Sequence, residues 1–119
     1  MKWFVLILSF SLSCLELRAQ SDYYERQARS HQNDAAFYVK QAQEYDRDAE
    51  YYMREAAGHL RDAEYYQRQK QYEQVRSSIR KARNAIERAD DNKRKADNAR
   101  SNAKSYMRRA EDALQNAKK

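Results

Sequence analysis

From Gln20 to about Gln69 apolar positions return with a period of seven, grouped in pairs. Written in blocks of fourteen, the stretch reads QSDYYERQARSHQN, DAAFYVKQAQEYDR, DAEYYMREAAGHLR and DAEYYQRQKQYEQV. Ala28, Ala35, Ala42, Ala49, Ala56 and Ala63 form one sevenfold column. Three residues after each alanine comes a second: His31, Tyr38, Tyr45, Tyr52, His59 and Tyr66. No charged residue interrupts either column, which is the a/d pattern of a coiled-coil seam. Tyr23, Phe37, Tyr51 and Tyr65 widen the apolar face on one side, and Val39, Met53 and Leu60 on the other. The face is broader than a two-stranded coil requires. Arg26, Lys40, Arg54 and Arg68 fall on its outer part as solvating charges.

After Ala63 the alanine series fails at Lys70 and Ser77, then resumes as Ala82, Ala89, Ala96, Ala103, Ala110 and Ala117. The step from Ala63 to Ala82 is not a multiple of seven. On one continuous helix it rotates the stripe by about 100°, so the pattern predicts a break. The spacing Tyr66–Gln71–Tyr72–Val75–Ile79–Ala82 resembles the helix-turn-helix of a tetratricopeptide repeat, with Lys70 where that family has its turn glycine. The resemblance covers only this short segment, and the family's early Trp and Leu-Gly positions are absent. It places a turn over about 68–71.

The predicted fold is all-α: a long antiparallel helical hairpin, an alanine-rich coiled coil, with helix 1 over about 21–69 and helix 2 over about 72–118. Each helix would run about 70 Å at about 1.5 Å per residue. Folding back brings Ala56 near Ala82–Ala85 and Ala28 near Ala110–Ala113. The second seam is small at both positions (Ala82, Ala85, Ala89; then Ala96, Ala99, Ala103), so tyrosines on one helix can interdigitate with alanines on the other. Ile79, Ile86, Met107 and Leu114 flank it, with Lys93 and Arg100 in the same column midway.

Composition sharpens this picture. The chain has 119 residues with one Gly and no Pro, and much of its 41% hydrophobic content is Tyr and Ala. A thick globular core is thereby excluded and long helices are favoured. Residues 1–19 differ in kind. Lys2 precedes the apolar run Trp3–Leu15, and Glu16-Leu17-Arg18-Ala19 returns to polar character. The run is short for a membrane span and suits a secretory signal peptide cut after Ala19, with Ser13 as an earlier alternative. An uncleaved anchor is the competing reading. Cys14, the only cysteine, falls inside this segment. Ser11-Leu12-Ser13-Cys14 makes a poor lipoprotein site, because Ser11 stands where the usual leucine falls three residues before the cysteine. The expected mature domain, 20–119, therefore carries no disulfide. Secretion to the extracellular space is the expected destination, with no stable membrane insertion after cleavage.

Charge divides between the halves. Gln20–Gln69 holds ten acids and seven bases; Lys70–Lys119 holds seven acids and fifteen bases, within a formal net charge of +6. Opposite signs favour pairing of the halves and select orientation more than they stabilise. The basic half also makes an extracellular polyanion or microbial envelope a possible partner, through Arg80, Lys81, Arg83, Lys93, Arg94, Lys95, Arg108 and Arg109. Nucleic acid is not expected in a secreted setting. An alanine face is a poor lipid binder.

No nucleophile–base pair, phosphate loop or carboxylate dyad is present, so the chain reads as non-enzymatic, without cofactor or metal. The repeats His31-Gln32-Asn33-Asp34 and His59-Leu60-Arg61-Asp62 offer two ligands each and stand about 42 Å apart on one helix. The histidines are expected to be seam residues, hydrogen-bonded locally and able to make the seam pH-sensitive. Gly58 costs about 1 kcal/mol relative to alanine within a helix and marks either a close contact or drift in the repeat.

The aromatic column Tyr23, Phe37, Tyr51 and Tyr65 exceeds the needs of one seam. A stripe of this kind marks an interface, so the first expectation is self-association into a homo-oligomer, as a four-helix bundle or a fibre. By composition the chain loosely resembles the coiled-coil silks of some insects, which implies an extracellular structural role; tyrosine enrichment also suits dityrosine crosslinking. Polyanion binding of a defence type is the alternative expectation, and a receptor-binding secreted signal is a third.

Overall fold

The computed structural model describes the backbone from Lys2 to Lys119 and side chains from Arg18 onward. Two α-helices, α1 (Lys2–Arg68) and α2 (Tyr72–Lys118), form a hairpin. α2 has the bounds its pattern predicts, and α1 ends one residue before the expected Gln69. α1 starts at Lys2 instead of near residue 21. The leader reading and Cys14 fall mainly on residues 1–17, outside the described side chains.

The turn forms without glycine. Gln71 N–H donates to the Tyr66 carbonyl at 2.9 Å and Lys70 N–H to the Gln67 carbonyl at 3.0 Å. This crossed pair is a Schellman cap, which satisfies the last carbonyls of α1. The motif needs a left-handed residue after the helix end, and Lys70 supplies it with φ of 60°. A side chain in that conformation costs about 1–2 kcal/mol. Val75 N–H then bonds the Gln71 carbonyl at 3.2 Å, opening α2. Glu73 in its first turn meets the positive end of the helix dipole.

The chain comprises two compact units, one of Met1–Phe37 with Asn102–Lys119 and one of Tyr38–Ser101. The turn-bearing unit is built on alanine. Ala42, Ala49, Ala56 and Ala63 on α1 and Ala82, Ala85, Ala89, Ala96 and Ala99 on α2 are buried. Ser78 continues the α2 column as a buried polar residue. Ala96 and Ala89 are 0% exposed, and no large side chain is fully buried. Tyr38 and Tyr45 lie half-buried against Ala42, Ala96 and Ala99. Methyl-sized contacts let the helix axes approach, and the rings then cover the sides of the seam.

In the other unit Ala28, Ala35, Ala103, Ala110 and Ala113 are buried. The His31 ring packs on Tyr106 with centroids 6.0 Å apart and planes tilted by 35°. His31 Nδ1 is buried and makes no hydrogen bond to a protein group. The expected local hydrogen bond is therefore absent at Nδ1 of His31, whose ring packs on Tyr106. Gly58 mediates no close contact: an added Cβ meets nothing within 4 Å.

Flanking residues explain the direction of pairing in the turn-bearing unit. Beside the α1 seam the positions preceding Ala49, Ala56 and Ala63 (g) are Asp48, Glu55 and Asp62, and those following Tyr45, Tyr52 and His59 (e) are Asp46, Met53 and Leu60. On α2 the g positions are Lys81, Arg88 and Lys95, and the e positions Ile79, Ile86, Lys93 and Arg100. An antiparallel coil sets g beside g and e beside e, which matches acids with bases and aliphatics with aliphatics. A parallel coil would set the acids against Ile79 and Ile86. The Asp46–Arg100 ion pair is one such e–e contact.

Two substitutions test this construction with opposite signs. Ala96→Leu overpacks a fully buried contact and is expected to destabilise the hairpin by about 1–3 kcal/mol. Lys70→Gly relieves the left-handed turn and, net of added unfolded-state freedom, is expected to stabilise it by about 0.5–1 kcal/mol. Urea unfolding followed by circular dichroism reads both.

Candidate assembly surface

The aromatic column occupies the c positions of α1. At about 100° per residue a c side chain points about 130° from the middle of an a/d seam, so it lies well outside the helix contact. Tyr23 and Phe37 are 57% exposed in one unit, and Tyr51 and Tyr65 are 53% exposed in the other. Three of these rings pack edge-on against the next residue. The centroid separations are 5.4 Å for Tyr23–Tyr24, 5.4 Å for Tyr51–Tyr52 and 5.5 Å for Tyr65–Tyr66, with interplanar angles of 68°, 71° and 68°. Each of these three rings thus rests on a half-buried seam ring, a T-shaped contact that fixes its orientation. The hydroxyls are held from the next turn: Gln27 Nε2 donates to Tyr23 at 2.9 Å, and the Tyr51 hydroxyl donates to Glu55 Oε1 at 2.8 Å.

The opposite face of some seam rings is covered by bases. In the turn-bearing unit the Arg88 guanidinium lies 5.7 Å from the Tyr52 centroid and Lys95 Nζ lies 5.8 Å from that of Tyr45. In the other unit Arg109 lies 4.9 Å from the Tyr106 centroid. Tyr52 is accordingly held between Tyr51 at its edge and Arg88 over its ring, at a cation–π worth of about 0.5–1 kcal/mol for an exposed pair.

This divides the basic residues that the sequence groups together. All eight (Arg80, Lys81, Arg83, Lys93, Arg94, Lys95, Arg108 and Arg109) are exposed. Lys95 and Arg109 are engaged with rings, and Arg94 pairs with Asp91. Arg80, Lys81, Arg83 and Lys93 have no ion pair among the described residues. Arg100 is clamped by Asp46 and by Asp97, the latter at 3.2 Å. The ring-covering role of Arg88 and Lys95 went unread in the sequence. Its signal was the sevenfold spacing of Lys81, Arg88 and Lys95.

An open groove of about 510 Å³ is lined by Asp46, Ala49, Glu50, Met53, Arg54 and Lys93. It holds neither a histidine nor a hydroxyl or thiol nucleophile. Among the described residues no group of three or more His, Cys, Asp and Glu is placed to hold a metal ion.

No protein-family model, curated protein or solved structure matches the chain.

The Tyr51–Glu55 contact has a measurable signature. The hydrogen bond to the Glu55 carboxylate, followed by that group's charge, raises the Tyr51 pKa above the ordinary 10.0. A raised folded-state value means the contact is intact below pH about 10 and is lost as pH rises through the raised value. Phenolate absorbance of the parent minus that of Tyr51→Phe should titrate above 10.0, and Glu55→Gln should bring the transition back towards it.

Proposed function

We propose that the chain is a secreted, non-enzymatic structural or interaction protein that assembles with copies of itself, with Tyr23, Phe37, Tyr51 and Tyr65 as the contact surface. The observation that carries this reading is four aromatic side chains, each more than half exposed, repeating every fourteen residues. Rings of this size bury about 150–250 Å² each when covered, and an exposed stripe of them is costly to leave in water. The c column also alternates. Ser30, Glu44 and Gly58 stand between the rings, and successive rings are about 21 Å apart along the helix. Such spacing leaves room for rings of a second chain to enter between them, and at Gly58 the space is open. The edge-on contacts reduce the ordering cost of association by fixing rings in advance.

A second reading is favoured by a separate observation. Arg80, Lys81, Arg83 and Lys93 are exposed bases without an ion pair among the described residues, which suits a polyanion such as a sulfated glycan or an anionic envelope polymer. The two readings separate by mutation. Replacing Tyr23, Phe37, Tyr51 and Tyr65 with Gln should leave helix content within about a tenth of the parent and shift the protein towards monomer in sedimentation. Replacing the four bases should leave assembly in place and abolish retention on heparin. If the Gln variant assembles as well as the parent, while the basic variant loses activity, the polyanion reading takes first place.

Secretion rests on the apolar run Trp3–Leu15 and the small residue Ala19. Among the described residues no helix is long and apolar enough to cross a membrane. Intact-mass analysis of the protein recovered from culture medium should give a chain starting at Gln20, and recovery with Met1–Ala19 attached would overturn the processing reading.

A further inference from the structure

The turn-bearing unit has a second exposed apolar surface, on the e edge of the hairpin and distinct from the c column. Leu60 and Met53 of α1 are 48% and 43% exposed, and Ile79 and Ile86 of α2 are 42% and 38% exposed. The register is fixed by Tyr52 beneath Arg88 and Tyr45 beneath Lys95. Counting from these contacts puts Leu60 level with Ile79, Met53 level with Ile86, and Asp46 level with Lys93. Asp46 and Lys93 line one groove together. At these three levels the edge therefore carries one residue from each helix, and the two are aliphatic–aliphatic or acid–base.

We propose that this edge binds a second copy of the chain, edge to edge, about a two-fold axis parallel to the helices. That axis sets α1 of each copy over α2 of the other without changing level. Leu60 then meets Ile79, Met53 meets Ile86 and Asp46 meets Lys93, and each contact occurs twice because the interface is isologous. The match is specific to this axis. A two-fold perpendicular to the helices through the same patch sets Asp46 over Gln67 and Lys93 over Tyr72, where no charge is matched. Lys93 has no ion pair among the described residues, and this arrangement gives it one. One level further, Val39 meets the alkyl stem of Arg100, whose guanidinium stays with Asp46 and Asp97. At the rim Glu64 meets Arg76 and Glu50 meets Asp90, so the rim charges balance in part. The product is a four-helix unit with aliphatic contacts at its centre and charge pairs that set register. The inference does not rest on the aromatic column.

Charge exchange at one level tests it, by sedimentation velocity on the purified protein from micromolar to millimolar concentration. The Lys93→Asp variant presents two carboxylates at that level and the Asp46→Lys variant two ammonium groups. Either alone should weaken dimerisation about tenfold or more, while helix content by circular dichroism stays that of the parent. Mixed in equal amounts, the two variants restore both acid–base contacts, and heterodimer affinity should return to within about threefold of the parent. Met53→Glu with Ile86→Glu should abolish the dimer in any mixture. The Gln variant of Tyr23, Phe37, Tyr51 and Tyr65 should still dimerise, which separates failure of the aromatic reading from failure of this one. Parent-like dimers from each charge variant alone, a parent that stays monomeric at millimolar concentration, or a mixture that forms no heterodimer overturns the proposal.

Discussion

The hairpin depends on alanine at the points where its helices meet. Among the described residues the buried apolar side chains are all alanines, two of them with no exposed surface. A methyl group brings only about 0.8 kcal/mol of burial, against about 1.5–3 kcal/mol for a larger aliphatic side chain. Alanine also admits no partner of greater size between the backbones. Everything larger is displaced sideways, which is why the seam tyrosines are half-buried and lie over the alanines of the facing helix. In the turn-bearing unit the apolar stabilisation is thus divided between many small contacts along the seam and a row of ring faces at its side. The rings are the larger share per residue, and the structure treats them accordingly. Tyr52 is bounded by a second tyrosine at its edge and a guanidinium above it.

A close seam leaves two unlike edges. On the g edge of the turn-bearing unit α1 carries Asp48, Glu55 and Asp62 and α2 carries Lys81, Arg88 and Lys95; the e edge carries aliphatic residues and the Asp46–Arg100 ion pair. Exposed charge pairs contribute about 0.2–1 kcal/mol each at most, too little to hold helices of this length. Their effect is on choice. Reversing α2 would break up the aliphatic pairs and set acids of α1 on the side that carries Ile79 and Ile86, and the difference between orientations is the sum over levels. The turn contributes to the same end from the backbone, since a capped helix end with a left-handed residue redirects the chain even where that residue is lysine.

Much of this was legible from period alone. Two sevenfold alanine columns out of phase require a break, and the break falls where the phase changes. The bounds of α2 and the burial of Ala82 to Ala113 follow from the same count. Lys70 was recognised as standing in a glycine position, but its conformation was not readable, because lysine carries no signature of a positive φ. The contacts across the seam were harder for a physical reason. Which residue of α2 sits over Tyr52 depends on the residues consumed by the turn, and a shift of one residue moves Arg88 off the ring. His31 shows the same limit. Its position in the seam was evident, whereas the surroundings of its Nδ1 depend on what the facing helix presents, here the Tyr106 ring. The aromatic column was visible as a repeat and only its direction needed geometry.

Alanine contacts bring the backbones of the turn-bearing unit close together, and the groove beside Asp46 and Lys93 is open to solvent. The exposed apolar groups stand on the outer surface, with Tyr51 and Tyr65 on one aspect of α1 and Met53 and Leu60 on another, beside Ile79 and Ile86 of α2. Two self-complementary surfaces have different consequences from one. A single isologous contact closes at the dimer, whereas a second, independent one leaves each dimer with free surface and extends the assembly without limit. Were both proposed contacts made, assembly order would follow from strength: the edge with matched levels would form discrete four-helix units, and the alternating rings would join them.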